Sequence, residues 1–498
     1  MLLIAGGIAE FTNLNTLPFW GDEFVTVKVV GAENQWQDSR LKGSPMSRQQ
    51  VLDIVCRAPA FDLPAVTARL LHYPQQSPLF YFLAHAWATV YSASFGSIRF
   101  LSALFGLAQI PAIYLLGLEL FKSRRTGLIA AALLTFSPYH LLWADVARPY
   151  SLWAFALILS SYFLLRSLNK GGMWNWSAYA CFTAIALNTQ VLNVCAVFAF
   201  VIFGFIESRG RLSPRFKTLI VASVLSLAAL VPWLLAKLGA TGTNPGDTWW
   251  AASTSSFALS WLHQLCVPFL IPGHWSTLAR SIHAPDIYVP VLLEGIALAY
   301  VWWRSRKNAA FLVLVGLLNI APLLVPDLLF GGRRSITNRY LAPLVLAIFL
   351  GVAELFAGAL GAKRNWLRGC GFVFLSVLLA AEIGSCFNFR WLVHEMRFLR
   401  SRETEVAGAK DLLYIVKPVG PKLSVFETVC DAAPESEFLF ADEPSQVTIP
   451  DGYKTVVLSG WDLQEIADLT ARDHLKVAPA LMHKRTKVFT VEPTGTLK

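Results

Sequence analysis

The sequence predicts a polytopic α-helical membrane protein, with about 11 to 13 membrane helices and a small α/β domain at the C-terminal end. Three observations carry this. Hydrophobic residues make up 55% of the 498 and charged residues only 15%, with a mean hydropathy of +0.51; soluble domains carry nearer ~25% charge. Apolar runs of roughly 17 to 24 residues recur along most of the chain, long enough for helices crossing a ~30 Å hydrocarbon core and without the alternation of barrel strands. Lys and Arg gather in the short links between those runs, as the positive-inside rule requires. The net charge of +10 is therefore read as topology, and nucleic acid is set aside as a partner.

Taken in order, the first run, Met1 to Ala9, is too short to span alone, and Glu10 interrupts it. It has no basic n-region or small-residue cleavage site, so it is not read as a signal peptide; either the helix begins upstream or it is stubby. Two adjacent acids, Asp22 and Glu23, follow Trp20 at the membrane rim. Ionised carboxylates there are costly without a partner or a task, and two readings stay open: solvated loop acids beside an interfacial Trp, or reactive groups. A polar stretch from about Lys28 to Gln76 is punctuated by Pro45, Pro59, Pro64 and Pro74. Within it, amphipathic pieces near 47–57 and 63–72 suit interfacial helices.

An apolar segment at 78–95 comes next, and further runs lie near 98–121, 126–142, 149–167, 174–188, 190–207, 218–237, 286–304, 308–326, 340–360 and 369–387. With the basic links at 122–125, 166–170, 209–217, 304–307 and 363–368 all cytoplasmic, strict alternation from 98 onward delivers Asp145 to the outer face. Asp22 and Glu23 share that side only if 78–95 does not cross fully, so it is read as re-entrant or membrane-lying. Residues 1–388 form the membrane domain, with a first outer loop at about 16–77 and a long outer loop at about 239–285. From 389 the composition is that of a soluble domain, placed on the extracytoplasmic side. Strand-like runs at Lys422–Phe426, Glu437–Phe440 and Thr455–Leu458, with helix-like stretches near 400–413 and 461–471, suggest an α/β module.

The seven Cys are scattered without a CxxC and read as packing residues. The long outer loop carries Trp249, Trp250, Trp261, His263, His274, Trp275 and His283. Such Trp residues either anchor the chain at the interface or stack on a sugar. The histidine spacing matches no compact zinc site; His274 is kept as a candidate substrate contact.

Five motifs stand in order: Leu17-Pro18-Phe19-Trp20-Gly21-Asp22-Glu23; Ser77-Pro78-Leu79-Phe80-Tyr81; Arg99 through Gly106; Ser137-Pro138 with Asp145-Val146-Ala147-Arg148-Pro149-Tyr150; and Asn338-Arg339-Tyr340-Leu341-Ala342-Pro343. Over about residues 10–360 this set resembles the C-type (GT-C) membrane glycosyltransferases, in the branch of the protein mannosyltransferases and the lipid A aminoarabinose transferase. The resemblance implies sugar transfer from a polyprenyl-phosphate carrier on the extracytoplasmic face, with inversion, in a bacterial cytoplasmic membrane. It implies Asp22 as the carboxylate base for an acceptor hydroxyl, with Glu23 orienting the acceptor or supporting the loop. The departing phosphate needs cations or a divalent metal; Arg148 and Arg339 are the candidate cations, although either could instead satisfy helix-end carbonyls. Tyr150 and Tyr340 beside them are candidate substrate contacts. The chain departs from the family pattern twice. Val146 stands where an acid usually precedes Ala-Arg, with Asp145 one place earlier as a candidate catalytic acid. Pro74-Gln75-Gln76-Ser77-Pro78 replaces Asp-x-His-Pro-Pro, which weakens a metal site and leaves Gln76 as a candidate substrate contact.

The donor expected is a polyprenyl-phosphate sugar, and the acceptor a lipid, glycan or protein. A transporter of lipid-linked sugars would want ionisable groups at mid-membrane and inverted repeats. A polysaccharide ligase or polymerase would lean on outer-face Arg and not on Asp22.

Overall fold

The computed structural model describes residues 1–12, 14, 21–31, 39–73, 75–239, 257–270, 284–402, 412–417, 429, 436–450, 452–453, 455–459, 461, 463–472, 475–483 and 486–491. Two compact units emerge. The first comprises Met1–Leu14, Pro64–Leu83 and Arg99–Arg390; the second comprises Asn15–Leu63, Ala84–Ile98 and Trp391–Lys498. His274, Trp249, Trp250, Trp275 and His283 lie outside the described residues, as do Trp20 and the run Lys422–Phe426.

The helices are α1 (Leu2–Phe11), α2 (Gly21–Val30), α3 (Arg48–Val55), α4 (Leu63–Leu71), α5 (Pro78–Val90), α6 (Phe95–Phe121), α7 (Arg124–Phe136), α8 (Pro138–Ala144), α9 (Tyr150–Lys170) and α10 (Met173–Thr189). They continue with α11 (Val194–Glu207), α12 (Pro214–Ala228), α13 (Val231–Leu238), α14 (Phe257–Cys266), α15 (Ala284–Arg304), α16 (Arg306–Phe330), α17 (Ala342–Leu360), α18 (Asn365–Arg402) and α19 (Leu463–Arg472). Nearly every apolar run read from the sequence is helical. Among the described residues six helices are individually long and apolar enough to cross a membrane, and a bent pair adds a seventh; other runs form shorter helices.

The bent pair is α7 and α8, which meet at 61°. Pro138 has no N–H to continue the α7 ladder, and Ser137 closes the gap. Its Oγ accepts from the His140 N–H at 3.3 Å and donates to the Pro268 carbonyl at 2.6 Å. The segment expected to lie in the membrane is α5, whose 13 residues reach only ~20 Å at ~1.5 Å per residue.

In the first unit the basic links stitch helix ends together. Arg215 donates to the Leu168 carbonyl at 2.7 Å, satisfying a C-terminal carbonyl that α9 leaves open, and Arg368 of α18 donates to the Ala362 carbonyl in the link before it at 2.5 Å. Glu354 on α17 pairs with Arg304 at 3.2 Å and accepts from Thr126 on α7 at 2.7 Å. Lys307 and Glu207 join α16 to α11. The α6–α7 hairpin closes on glycines: a Cβ at Gly127 would stand 2.7 Å from the Tyr114 carbonyl oxygen. Backbone cannot swing aside, so Gly127→Ala is expected to cost about 1–3 kcal/mol, read as a lowered Tm in detergent.

The second unit holds a six-stranded mixed sheet of β1 (Met46–Ser47), β2 (Leu412–Val416), β3 (Glu437–Phe440), β4 (Thr455–Ser459), β5 (Leu475–His483) and β6 (Thr486–Val491). The order is β1-β3-β2-β4-β6-β5, parallel across β3-β2-β4 and antiparallel elsewhere. Alternation along β2 sends Leu413 and Ile415 into a core with Val456, Leu458, Trp461 and Leu469, while Tyr414 on the other face stacks on Phe438 at 5.0 Å. Leu412 and Leu413, expected at the end of a helix over 400–413, instead open β2. Pairing with β4, and at Leu413 with β3 as well, prevails there over their helix propensity. Segment 42–48 joins this sheet: β1 pairs with β3, Arg48 Nε donates to the Val429 carbonyl at 3.0 Å, and Lys42 pairs with Asp442. No local period announces a two-residue strand.

Candidate active site

Asp22 and Glu23 are not loop residues. They form the first turn of α2, where open backbone N–H groups and the helix dipole favour carboxylates. Glu23 is fully buried and Asp22 half-buried. The far end of α2 is held by His85: its Nδ1 lies 2.8 Å from the Val30 carbonyl oxygen, and its Nε2 accepts from the Asp62 N–H at 2.9 Å. An acceptor Nε2 requires the neutral tautomer with the proton on Nδ1, which then donates to Val30. Phe61 stacks on that ring at 5.7 Å. One side chain thereby fixes the helix that presents both acids.

In the first unit a different group of candidates converges. Asp145 ends α8, its N–H bonded to the Leu141 carbonyl at 3.0 Å, and the chain then turns tightly, with the Arg148 N–H 2.7 Å from the Val146 carbonyl. Two α6 residues staple this turn: Ser102 donates to the Arg148 carbonyl at 3.4 Å and Gln109 to the Ser151 carbonyl at 3.1 Å. Seven positions apart, they lie on one face of the helix. The buried Arg148 guanidinium donates to the Tyr81 hydroxyl at 3.0 Å and to Gln76 Oε1 at 3.2 Å. It also sits 5.7 Å from the centre of the Tyr150 ring. These three neutral groups fix the guanidinium's orientation.

Gln76 is held in turn. Its carbonyl accepts from Lys237 Nζ at 2.7 Å and from Trp233 Nε1 at 3.3 Å, and Lys237 reaches the Tyr73 carbonyl at 3.2 Å. Arg339 lies in a short 3-10 turn, Asn338–Tyr340, with its guanidinium 5.2 Å from the Tyr340 ring centre. That turn is tied by Tyr139, whose hydroxyl donates to the Asn338 carbonyl at 3.1 Å. Tyr139, Trp143 and Tyr150 follow edge to face, at 6.3 and 4.9 Å. These three, with His140 and Gln109, line a small cavity of about 30 Å³.

Residues 75–236 match the family model described as dolichyl-phosphate-mannose-protein mannosyltransferase. The fold is similar to that of ArnT from Cupriavidus metallidurans bound to undecaprenyl phosphate, at a TM-score of 0.54 and 13% identity, over 99% of this chain and 98% of that one. The apo state of ArnT matches over the same shares at 0.52 and 14%. The chain has the GT-C fold, and about a third of it is similar to that mannosyltransferase family. No protein of curated function matches it in sequence.

The matched stretch contains Gln76, Tyr81, Arg148, Tyr150 and Trp233, and Lys237 stands one position beyond it. Of the site residues read from the sequence, the structure brings Gln76, Arg148 and Tyr150 together. It sets Arg339 and Tyr340 at the far end of the aromatic run. Sequence reasoning missed Lys237 and Trp233. A signal was present: a single cation closes an otherwise apolar run, four residues after a Trp and on the same helical face.

The described residues hold no cluster fit for a divalent metal. Among them no three His, Cys, Asp or Glu side chains converge on a common point. The Gln76 oxygen, the ligand that position would offer, is engaged by Tyr81 and by a guanidinium. His263 on α14 is buried, and desolvation holds its imidazole below the ordinary histidine range.

Proposed function

We propose that this protein transfers a sugar from a polyprenyl-phosphate-linked donor to an acceptor hydroxyl on the extracytoplasmic face of a bacterial cytoplasmic membrane. Residues 1–388 are the catalytic domain and 389–498 an extracytoplasmic module. The observation that carries the reading is the buried Arg148 guanidinium, aimed by the neutral groups of Gln76, Tyr81 and Tyr150, inside the stretch that matches the mannosyltransferase family. The fold shared with ArnT, which was crystallised with undecaprenyl phosphate, supports a carrier of that chemistry.

In this mechanism the acceptor oxygen attacks the anomeric carbon as Asp22 takes its proton. The bond from that carbon to the phosphate oxygen breaks, its electron pair leaves with the polyprenyl phosphate, and attack from the opposite face inverts the centre. Negative charge grows on the departing phosphate. A guanidinium held ready in a low-dielectric site stabilises that charge without reorganising, and Arg148 has this role, with Arg339 as a second cation. Asp145, Tyr150, Tyr340 and Gln76 are assigned to the same substrate region.

The test is turnover of a panel of labelled polyprenyl-phosphate sugars by the protein reconstituted in lipid. One donor is expected to be consumed, releasing one polyprenyl phosphate per sugar transferred. Folded protein that turns over none of them while moving lipid-linked sugar across the bilayer would overturn the reading in favour of transport.

A further inference from the structure

We propose that Lys237 is a positioning residue that acts through Gln76 to hold Arg148 in its anion-binding orientation. The inference rests on the donor-binding role given to Arg148 above and adds the parts that keep it in place. The hydrogen bonds run in one consistent direction. Arg148 Nη1 donates to the Tyr81 hydroxyl at 3.0 Å, Tyr81 donates to Gln76 Oε1 at 2.7 Å, and Arg148 Nη2 donates to that same oxygen at 3.2 Å. The amide oxygen of Gln76 is thus shared by both other members of the ring, and aligned bonds of this kind polarise one another.

That oxygen can serve only if the Gln76 backbone is fixed. Gln76 precedes α5 in a turn closed by the bond from its own N–H to the Tyr73 carbonyl at 3.1 Å. Its carbonyl, which no helix ladder uses, is pinned from α13 by Lys237 and Trp233. Lys237 bridges both ends of the turn by also donating to Tyr73, and its ammonium lies 5.2 Å from the Trp233 ring centre. A charged donor on two backbone carbonyls is stronger than neutral bonds in the same place. Losing it releases the turn, the amide oxygen moves, and the guanidinium loses its reference point.

The test reads Arg148 directly, without a donor. Phenylglyoxal modification of each arginine is followed by peptide mass spectrometry in the full-length protein, with the exposed Arg211 as internal reference. Arg148 is expected to react slowly in the wild type, and roughly tenfold faster in Lys237→Met, the equivalent of ~1.4 kcal/mol of lost charge-assisted bonding. Lys237→Arg restores protection. Trp233→Phe, which keeps the ring and removes one donor, gives an intermediate rate and guards against misfolding of the methionine variant. In parallel, binding of undecaprenyl phosphate is expected to weaken about tenfold in Lys237→Met and to recover in Lys237→Arg. An unchanged Arg148 rate in both Lys237→Met and Trp233→Phe overturns the positioning role, whatever the lipid does. Rates that change as expected in a protein that binds no undecaprenyl phosphate sustain the positioning role and remove the donor reading. Changed rates with unaltered lipid binding overturn the link between the two.

Discussion

Asp22→Asn is expected to lower sugar transfer by roughly 10²- to 10⁴-fold while leaving folding and donor binding close to wild type. The substitution keeps the size of the side chain and its fit at a helix N-terminus, where Asn is as well tolerated as Asp. It removes the one property the mechanism needs, a carboxylate that can take the acceptor proton. Because α2 is anchored at its other end through His85, the exchange does not disturb how the first turn is presented. Glu23→Gln is different in kind. Glu23 is fully buried, so its loss is expected first in thermal stability and only secondarily in rate. Labelled-sugar transfer and Tm measured on the same preparations separate the two. Transfer that persists at wild-type rate in a folded Asp22→Asn protein would remove Asp22 from the mechanism.

The second large effect is on stability. Glu10→Ala is expected to cost about 3 kcal/mol, as removal of one partner from a buried polar pair does. Glu10 on α1 is fully buried, and its Oε1 lies 3.0 Å from His140 Nε2 on α8. The bond ties the first helix to the short arm beyond the α7–α8 bend, which also carries Tyr139 and Trp143 toward the candidate site. Room for the carboxylate comes from Gly106: a Cβ there would stand 2.5 Å from Glu10 Oε2 and 2.7 Å from the Ala144 Cβ. Glu10→Gln keeps the volume and an acceptor for His140, so its expected loss is about 1 kcal/mol. Equal Tm values for the alanine and glutamine variants would show that neither the volume nor the neutral acceptor retained by Gln is what Glu10 contributes.

Much of this was legible in the chain because its causes are local. An apolar run of sufficient length in a sequence with few charges must be helical, since lipid offers no partner for an open backbone. The amphipathic pieces near 47–57 and 63–72 became α3 and α4 for the same kind of reason. The break at Ser137-Pro138 could have been read from proline alone. Misreadings fell where the deciding interaction comes from elsewhere in the chain: Leu412 and Leu413 are strand because β4, and at Leu413 also β3, pairs with them, and Asp22 and Glu23, open to a reading as loop acids, stand in the first turn of α2.

By itself, then, the sequence determined the membrane class, most helix positions and the identities of Asp22, Arg148 and Gln76 as residues to examine. Only the tertiary structure decided that Gln76 is gripped by a lysine 161 positions later and that both of its oxygens hold other groups in place. The physical reason is that hydropathy and turn chemistry are written in near neighbours. A hydrogen bond between a turn and a distant helix leaves no period in the chain, and it exists only once packing has brought the donors and acceptors within reach.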